Sequence, residues 1–545
     1  MKAAAVVCVW LGLVQQLCAQ GKAGVCAHVT RDQEFASRIR IYEMLQEAGF
    51  AAVRSDFDWC TCQSSPSASF EFSTFDHVVD DAARHGIEIL PILCSPPSWA
   101  RPVHEHIEEW RAYVRAVMLH FKGRVSAVEV WNEENISSSW PNPNPGHYAK
   151  VLKAAYEEVK TVDPSVRVAF GGTAGCDVGF IEKTILAGAR RSFDAVCIHP
   201  YCQPHSADPI LGKELAGLRE MMKRHGLAKC PVWITEMGWP THRARIPDTL
   251  EFRAGLKIAD PERTVWHAAY VPLGEPCSSD MEFAECLKEI LPEGSTCAAV
   301  SPKGLEKALM RKMYDLVVYP FTESYPDETI DAVREFVKKG GTVVVFGGYP
   351  FYFPYRGGKY AGTTAHGAKE GEEARARFRI GVQTWWRDAM IPETARAFPS
   401  EEARRVGLAV DPAGLPVGRF FSMHRQSKDD RLIPILVAKD KDGNDIVGAG
   451  VYKYGDMKGS VIVSSRGKMS DSITEEVQAE RVVEAMKIAF AQGVERYFIY
   501  EFQAPEGNPY YSEHHFGIVH RDCTPKPAYE ACRRYLKNRG KSARE

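Results

Sequence analysis

The chain has 545 residues and a formal net charge of -2 at pH 7. This length exceeds what one hydrophobic core normally supports, so we expect two or three domains. Hydrophobic residues make up 45% of the sequence and charged residues 25%, which is typical of a soluble globular protein. Because the net charge is close to zero, we predict no nucleic acid and no anionic membrane as a partner.

The N-terminal residues 1–23 are typical of a signal peptide. Lys2 precedes an uncharged apolar stretch from Ala3 to about Val14, which is too short to span a bilayer as a helix. Cleavage near Ala19 or Ala23 fits the small residues there. We therefore predict an exported protein that is secreted or periplasmic.

The cysteines predict no metal centre. Of the 15 cysteines, Cys8 and Cys18 lie in the predicted signal peptide, which leaves an odd number in the mature chain. The pair Cys60 and Cys62 is a candidate metal site, but no second cysteine pair or suitably spaced histidine accompanies it. We expect buried thiols with some disulfides, and no cofactor.

After the signal peptide, strand-like and helix-like segments alternate along the chain. The strand-like segments lie at 25–29, 51–58, 87–93, 127–131, 166–170, 193–198 and 231–236. Amphipathic helical patterns lie between them, many ending at a glycine. Because each parallel crossover needs a helix, this alternation predicts a parallel sheet.

The eighth unit of this series lies far downstream. A helix is predicted from Ile473 to Ala491, a strand at Tyr497–Tyr500 and a final helix from Lys526 to Leu536. The sequence thus predicts an α/β fold, a (β/α)8 TIM barrel at 24–250 and 470–545. An inserted domain at 251–469 interrupts it after strand seven. Short alternating strands and helices in the insertion predict a doubly wound α/β domain.

Carboxylates terminate two of the predicted barrel strands. The fourth strand ends in the sequence WNEEN, from Trp131 to Asn135, and the seventh ends at Glu236. Charged groups are costly at the end of a buried strand unless they serve a purpose, and barrel active sites form at this end. Two carboxylates facing each other across a pocket are what glycoside hydrolysis needs.

Four strand-end motifs together resemble the glycoside hydrolases of clan A, and among these the family 39 type. They are WNEEN, HPY from His199, ITEMGWP from Ile234, and YEF from Tyr500 followed by EHHFGIVHRDCTPKPAYEA. The resemblance covers about residues 25–245 and 470–540. It implies that Glu133, directly after Asn132, is the general acid/base and that Glu236 is the nucleophile.

The chain departs from the clan pattern at Glu134, where clan members commonly have proline. Glu134 therefore competes with Glu133 for the acid role, although we expect its side chain to point away from that of Glu133. A purely structural reading also stands, in which Glu133 and Glu236 are members of salt bridges.

The resemblance also implies substrate-binding residues. Arg54, at the end of strand two, is similar to the clan arginine that keeps the nucleophile ionised. Asn132 would donate to the 2-hydroxyl of the sugar. His199 and Tyr201 project to the same face of strand six, and Tyr201 either donates to Glu236 or simply packs in the core.

Aromatic and acidic residues near the other strand ends are further candidates for sugar binding. Trp99, Trp131, Trp239 and Tyr500 are candidate stacking platforms, and each tryptophan is equally compatible with an ordinary core position. Glu501 either binds a sugar hydroxyl or caps its strand.

The inserted domain resembles the glutamine-amidotransferase-like domain of family 42 β-galactosidases. No cysteine follows the predicted strands Leu316–Tyr319 and Val343–Phe346, so we predict no amidotransferase chemistry. Subunit contact in a homo-oligomer, or forming a wall of the pocket, is the expected role.

The sequence as a whole predicts a secreted, metal-independent retaining glycoside hydrolase with a carbohydrate substrate. It would cleave β-linked glycosides through a glycosyl-enzyme intermediate, and the large insertion favours exo action. A transglycosylase with the same catalytic pair and a non-catalytic carbohydrate-binding barrel are the alternatives.

Overall fold

The structure is a computed structural model. It describes residues 21–31, 35–203, 205–241, 250–271, 287, 290–319, 324–346, 349–357, 359–362, 368–383, 395–410, 412–417, 422–440, 442–465, 473–505 and 512–542. Most of the predicted signal peptide lies outside these residues, as do residues 320–323 and 347–348, which follow the two predicted strands of the insertion that lack a cysteine.

Eight parallel strands close into a barrel. The first seven are β1 Lys22–Cys26, β2 Ala52–Asp58, β3 Glu88–Cys94, β4 Ala127–Asn132, β5 Arg167–Ala174, β6 Val196–His199 and β7 Val232–Met237. The eighth, β22 Arg496–Ile499, pairs with both β7 and β1. The predicted barrel and its interruption after the seventh strand are confirmed.

Helices follow the barrel strands. They are α1 Phe35–Ala48, α2 Trp59–Cys62, α3 Ser73–Arg84, α4 Ile107–His120, α5 Pro145–Val162, α6 Val178–Thr184 and α7 Ile210–Arg224, and later α13 Glu475–Ala491 and α14 Pro527–Ser542. In α3, Phe75, Val78, Val79 and Ala82 are buried, which is the 3.6-residue spacing of an apolar stripe that faces a sheet. Asp81 lies between them and is also buried, where it pairs with Arg38 at 2.8 Å.

The barrel interior is apolar at one level and polar at the next. Ala127, Ala169, Cys197, Trp233 and Phe498 belong to one interior cluster. Side chains two residues further along a strand point to the same face, nearer its carboxyl end. Glu129 and Thr235 occupy these positions and are fully buried. A polar layer therefore lies between the apolar core and the strand ends.

The remaining strands belong to the insertion. They are β8 His267–Tyr270, β9 Thr296–Ala299, β10 Leu316–Tyr319, β11 Ser324–Pro326, β12 Thr342–Phe346, β13 Phe353–Arg356, β14 Lys359–Tyr360, β15 Ile380–Gln383, β16 Arg396–Pro399, β17 Leu415–Pro416, β18 Ser422–Arg425, β19 Arg431–Lys439, β20 Asp445–Lys453 and β21 Ser460–Ser464.

The main sheet of the insertion is doubly wound. Its parallel part has the order β9-β8-β10-β12-β21, and β20, β19, β16 and β17 extend it. Leu316 and Val318 lie in one core cluster, whereas Val317 and Tyr319 lie in another. Both faces of the sheet are thus covered, as predicted.

The helices of the insertion are shorter than most of those around the barrel. They are α8 Leu250–Ala259, α9 Pro302–Met310, α10 Ile330–Lys338, α11 Ala368–Arg377 and α12 Glu401–Arg405.

The chain divides into two compact units. One comprises residues 1–241 and 475–545, and the other comprises 242–474. No disulfide joins any two of the eleven cysteines in the described ranges, so the disulfides expected from the sequence are not found there. Within those ranges, every helix falls short of the length and apolarity that crossing a bilayer requires.

Candidate active site

The end of β4 has an unusual backbone. Trp131 has a φ of 76° and Glu133 a φ of 50°, both in the left-handed region that non-glycine residues seldom adopt. The Glu133 N–H donates to Gly172 O across 2.9 Å, which ties this bend to β5. Strained backbone of this kind clusters at functional sites. Here it allows the adjacent residues Asn132 and Glu133 to join one polar network.

Arg54 on β2 is the centre of that network. Its Nε donates to Glu129 Oε2 at 2.5 Å, its Nη1 to Glu236 Oε1 at 2.6 Å and its Nη2 to Asn132 Oδ1 at 2.7 Å. The residue is only 3% exposed. Burial opposes the charge, but Glu129 and Glu236 outweigh it and raise the pKa of Arg54 above its ordinary value. The guanidinium is therefore a permanent cation beside Glu236.

Glu236 receives a second donor from the end of β6. The Tyr201 hydroxyl donates to Glu236 Oε2 across 3.0 Å, the contact considered from the sequence. Burial, and then the charge of Glu236, raise the pKa of Tyr201 well above normal, so the phenol keeps its proton. Each oxygen of Glu236 therefore accepts a hydrogen bond from a neighbouring side chain.

Glu133 approaches Glu236 from β4, three strands away from β7 around the barrel. His199 Nδ1 lies 3.1 Å from Glu133 Oε1 and 3.6 Å from Glu236 Oε2. One side-chain atom from each of Glu133, His199 and Glu236 lies within 4.8 Å of the others. The two carboxylates thus face each other across a short gap, in the arrangement inferred from the sequence.

Glu134 is not part of this network. Its side chain is fully buried, and neither carboxylate oxygen has a hydrogen-bond partner among the described residues. Burial raises its pKa well above the usual range, and the charges of Glu129, Glu133 and Asp177 add to the effect. A sealed carboxyl cannot protonate a leaving group, which weighs against Glu134 as the acid.

Tyr500 and Glu501 reach the site from the carboxyl end of β22. The Tyr500 ring packs edge-on against Tyr201 with centroids 6.1 Å apart, and its hydroxyl donates to Glu513 Oε2 at 3.2 Å. Glu501 is 3% exposed, and its Oε2 lies 3.6 Å from His28 Nε2. Burial, followed by the charges of Glu513 and Glu236, raises the pKa of Glu501.

Trp239 and Trp99, two of the tryptophans considered from the sequence, occupy different environments. Trp239 is completely buried, and its indole N–H donates to His205 O at 2.9 Å. Full burial matches the core position, which is one of the two readings that the sequence left open for Trp239. Trp99 is half-buried and packs edge-on against Trp59, with centroids 5.4 Å apart.

Sequence reasoning missed two members of the network, Glu129 and Thr235. Glu129 Oε1 accepts from Gly172 N at 3.0 Å and from the Thr235 hydroxyl at 2.9 Å. A charged residue in the middle of the apolar strand AVEV was a usable signal, because an unpaired buried carboxylate is very costly. Thr235 had no such signal, since threonine is common in strands.

A cavity of about 600 Å³ opens beside Asn132. Asp56 lies on its wall and is bound by Arg31 at 2.6 Å and by His28 Nδ1 at 3.1 Å. Burial works against ionisation of Asp56, but His28 and Arg31 together lower its pKa. The other lining residues include Cys94, Arg101, Trp131 and Trp140. The space is large enough for a sugar ring.

Two trios of described residues bring metal-ligating atom types together. They are Glu133, His199 and Glu236, and Asp56, Asp58 and Cys94. In the first, Arg54 already supplies positive charge to Glu236, so we do not assign these residues as metal ligands. In the second, burial raises the pKa of the Cys94 thiol, which keeps it protonated.

Sequence comparison finds one β-xylosidase similar to part of this chain. No protein-family model matches the sequence. A β-xylosidase of Geobacillus stearothermophilus is 36% identical over 75 residues, which are 12% of this chain and 14% of that enzyme.

Solved structures similar to the chain are glycoside hydrolases as well. A family 39 glycoside hydrolase from the gut symbiont Bacteroides cellulosilyticus WH2 is 14% identical with a TM-score of 0.47, and the match covers 95% of this chain and 64% of that one. A monomeric β-xylosidase from Caulobacter crescentus CB15 is 17% identical with a TM-score of 0.35, over 43% of this chain and 56% of that one. The chain therefore spans less than two thirds of the length of these proteins.

Proposed function

We propose that this chain is a retaining glycoside hydrolase with Glu236 as nucleophile and Glu133 as general acid/base. The observation that carries the proposal is the distance between the two carboxyl groups. One oxygen of Glu133 lies within 4.8 Å of one oxygen of Glu236. Retaining enzymes hold the two carboxyls about 5–5.5 Å apart, whereas inverting enzymes leave about 6.5–9.5 Å for a water molecule.

The surroundings of the two carboxylates suit these separate roles. Glu236 has Arg54 and the Tyr201 hydroxyl on its two oxygens, which favours an anion that attacks the anomeric carbon. Glu133 has only His199 as a side-chain partner among the described contacts, and its side chain is 20% exposed, so it reaches the solvent side of the site. Glu133 would give its proton to the departing oxygen and later take one from the attacking water.

The finer features of the proposal are β-linked substrates, exo action and export. Exo action is supported by the place of the insertion, which leaves the barrel after β7, at the end where the carboxylates lie. Export is supported by the sequence of residues 1–23. The sugar is best sought first among xylosides, because the sequence relative is called a β-xylosidase.

A panel of nitrophenyl β-glycosides tests the activity, and NMR of the first product tests the stereochemistry. We expect release of nitrophenol with net retention at the anomeric carbon. Glu236→Gln should abolish turnover while the protein stays folded, and Glu43→Gln on the exposed face of α1 is the matched control. Inversion of configuration, or full activity of Glu236→Gln, would contradict the proposal.

Two further measurements separate the alternatives. If added acceptor sugars are glycosylated in preference to water, the enzyme is a transglycosylase with the same catalytic pair. If no glycoside in the panel is cleaved but sugars bind by calorimetry, the barrel is a carbohydrate-binding module.

A further inference from the structure

Four side chains form a continuous hydrogen-bonded chain inside the barrel, from Glu129 to Glu133. The Thr235 hydroxyl is 2.9 Å from Glu129 Oε1, and His199 Nε2 is 3.0 Å from Thr235 Oγ1. At the other side of its ring, His199 Nδ1 is 3.1 Å from Glu133 Oε1. His199 is completely buried, so water does not compete for these contacts.

The donor and the acceptor of each hydrogen bond in this series follow from Glu129, its buried end. Glu129 Oε2 accepts from Arg54 at 2.5 Å and Oε1 accepts from Gly172 N, so both oxygens of this carboxylate face donors and act as acceptors. Thr235 must therefore donate its single proton to Glu129. Its oxygen then has only acceptor capacity for His199, which must carry a proton on Nε2.

We propose that Thr235 is a positioning residue that fixes the proton of His199 on Nε2, so that Nδ1 presents a lone pair to Glu133. This inference rests on the proposed function and deepens it. A hydrogen bond between Glu133 and this lone pair needs a proton on the carboxyl group. The series of hydrogen bonds therefore favours the protonated form of Glu133. The pair Glu133 and His199 thus holds the one proton that the leaving group needs.

The same arrangement suits the second half of the reaction. After Glu133 has given its proton to the leaving oxygen, its carboxylate faces a nitrogen that has no proton to donate. A carboxylate without a donor is a stronger base than one that is hydrogen-bonded. Glu133 is then ready to take a proton from the attacking water, which becomes bonded to the anomeric carbon as the bond to Glu236 breaks.

Other ionisable groups surround these hydrogen-bonded side chains, and those groups are the same in each variant proposed below. Those that face His199 and Glu133 are Arg54, Glu129, Glu134, Cys197, Tyr201 and Glu236. Cys197 also contacts Thr235, but burial raises the pKa of its thiol well above normal, so it stays a neutral and weak partner.

The experiment compares wild type, Thr235→Val and Thr235→Ser over pH with aryl glycosides. Valine has the shape of threonine without the hydroxyl, so His199 loses the acceptor for Nε2–H and is free to place its proton on Nδ1. Nδ1–H would stabilise ionised Glu133, and we expect the basic limb of kcat/KM to move to lower pH by about one unit. Thr235→Ser retains the oxygen and should keep the limb at the wild-type pH, whatever its rate.

A leaving-group series separates this role from a structural one. Thr235→Val should lose about tenfold in kcat on substrates with poor leaving groups, and much less on dinitrophenyl glycosides, which need little acid assistance. Equal losses on all substrates, with the basic limb unmoved, would overturn the inference while leaving the glycosidase proposal intact. Absence of cleavage by wild type would instead remove the proposed function.

Nitrogen-15 NMR of the histidine rings tests the same point without activity or a folded valine variant. The wild-type protein is labelled at its histidines, and the His199 signals are identified by their loss in His199→Gln. We expect a proton on Nε2 and none on Nδ1 throughout the active pH range. An unprotonated Nε2, or a proton on Nδ1, would overturn the inference.

Discussion

Arg54 Nη1 lies 2.6 Å from Glu236 Oε1, and the same guanidinium binds Glu129 from its other side. Both carboxylates are therefore held by one buried cation, and each is at most 11% exposed in its side chain. The charge that supports the nucleophile is also the charge that holds the polar layer of the barrel together. Substitutions of Arg54 should therefore change both kcat/KM and the free energy of unfolding.

Replacing Arg54 by lysine tests that double role. Lysine keeps a charge but lacks the fork that reaches Glu129, Glu236 and Asn132 together. Because buried carboxylates lose donors, we expect the free energy of unfolding to fall by about 3–5 kcal/mol, with a large loss of kcat/KM. Urea unfolding and steady-state kinetics measure the two effects. Arg115→Lys on the surface of α4, where Arg115 pairs with Glu158, should change neither.

Tyr201→Phe removes one donor from Glu236 and preserves the ring. A hydrogen bond to a charged group contributes about 1.5–3 kcal/mol, so we expect kcat/KM to fall roughly 10- to 100-fold. Tyr42→Phe is the matched control, because Tyr42 is also a buried tyrosine and donates to Val78 O at 3.1 Å outside the site. That control should lose stability and retain its rate. An unchanged rate in Tyr201→Phe would show that the hydroxyl does not support the nucleophile.

Glu133→Ala and Glu134→Ala should differ in how their rates depend on the leaving group. Without Glu133, substrates with poor leaving groups lose far more rate than dinitrophenyl glycosides, since only the former need a proton. Glu134 is sealed in the interior, so its alanine variant should lose stability and show no such dependence. A Brønsted plot for each variant measures this. If Glu134→Ala showed the strong dependence on the leaving group and Glu133→Ala did not, the general acid would be Glu134.

The burial of Glu134 predicts a pH-dependent cost to stability. Burial holds the folded-state pKa above the ordinary value of 4.5, so above that pH the unfolded chain releases a proton that the folded chain keeps. Stability is full below pH 4.5 and falls as the pH rises toward the folded-state pKa.

Replacing Glu134 by glutamine should remove this slope. Relative to Glu134→Gln, wild type should lose about 1.4 kcal/mol of unfolding free energy per pH unit in that window. Urea unfolding at a series of pH values measures the difference. Parallel curves for the two proteins would show that Glu134 is not held neutral.

Because Gly172 has no side chain, the His199 ring can occupy the space beside it. A Cβ added at Gly172 would lie 1.9 Å from His199 Nε2, a separation at which the ring must move. We expect Gly172→Ala to lose most activity and about 1–3 kcal/mol of stability through overpacking. Gly217→Ala on α7 is the control, because an added Cβ there meets no atom within 4 Å. It should gain up to about 1 kcal/mol in thermal or urea unfolding.

The sequence by itself determined the barrel, its interruption and the pair Glu133 and Glu236. These follow from local patterns, because alternating apolar segments define strands and helices, and barrel strands end on a common face. The carboxylates at the ends of β4 and β7 were therefore expected near each other before their distance was known. The doubly wound insertion followed from the same kind of pattern.

Only the tertiary structure decided what each side chain does in the site. Arg54, Glu129, His199 and Thr235 come from four strands that are far apart in sequence, and no local signal links them. The burial of Glu134 depends on how the chain bends around Glu133 and packs. The sequence left Trp239 open between a sugar-binding and a core position, because strand position alone does not tell whether an aromatic ring faces a pocket or the core. Contacts of this kind depend on backbone angles and long-range packing, which residue periodicity does not contain.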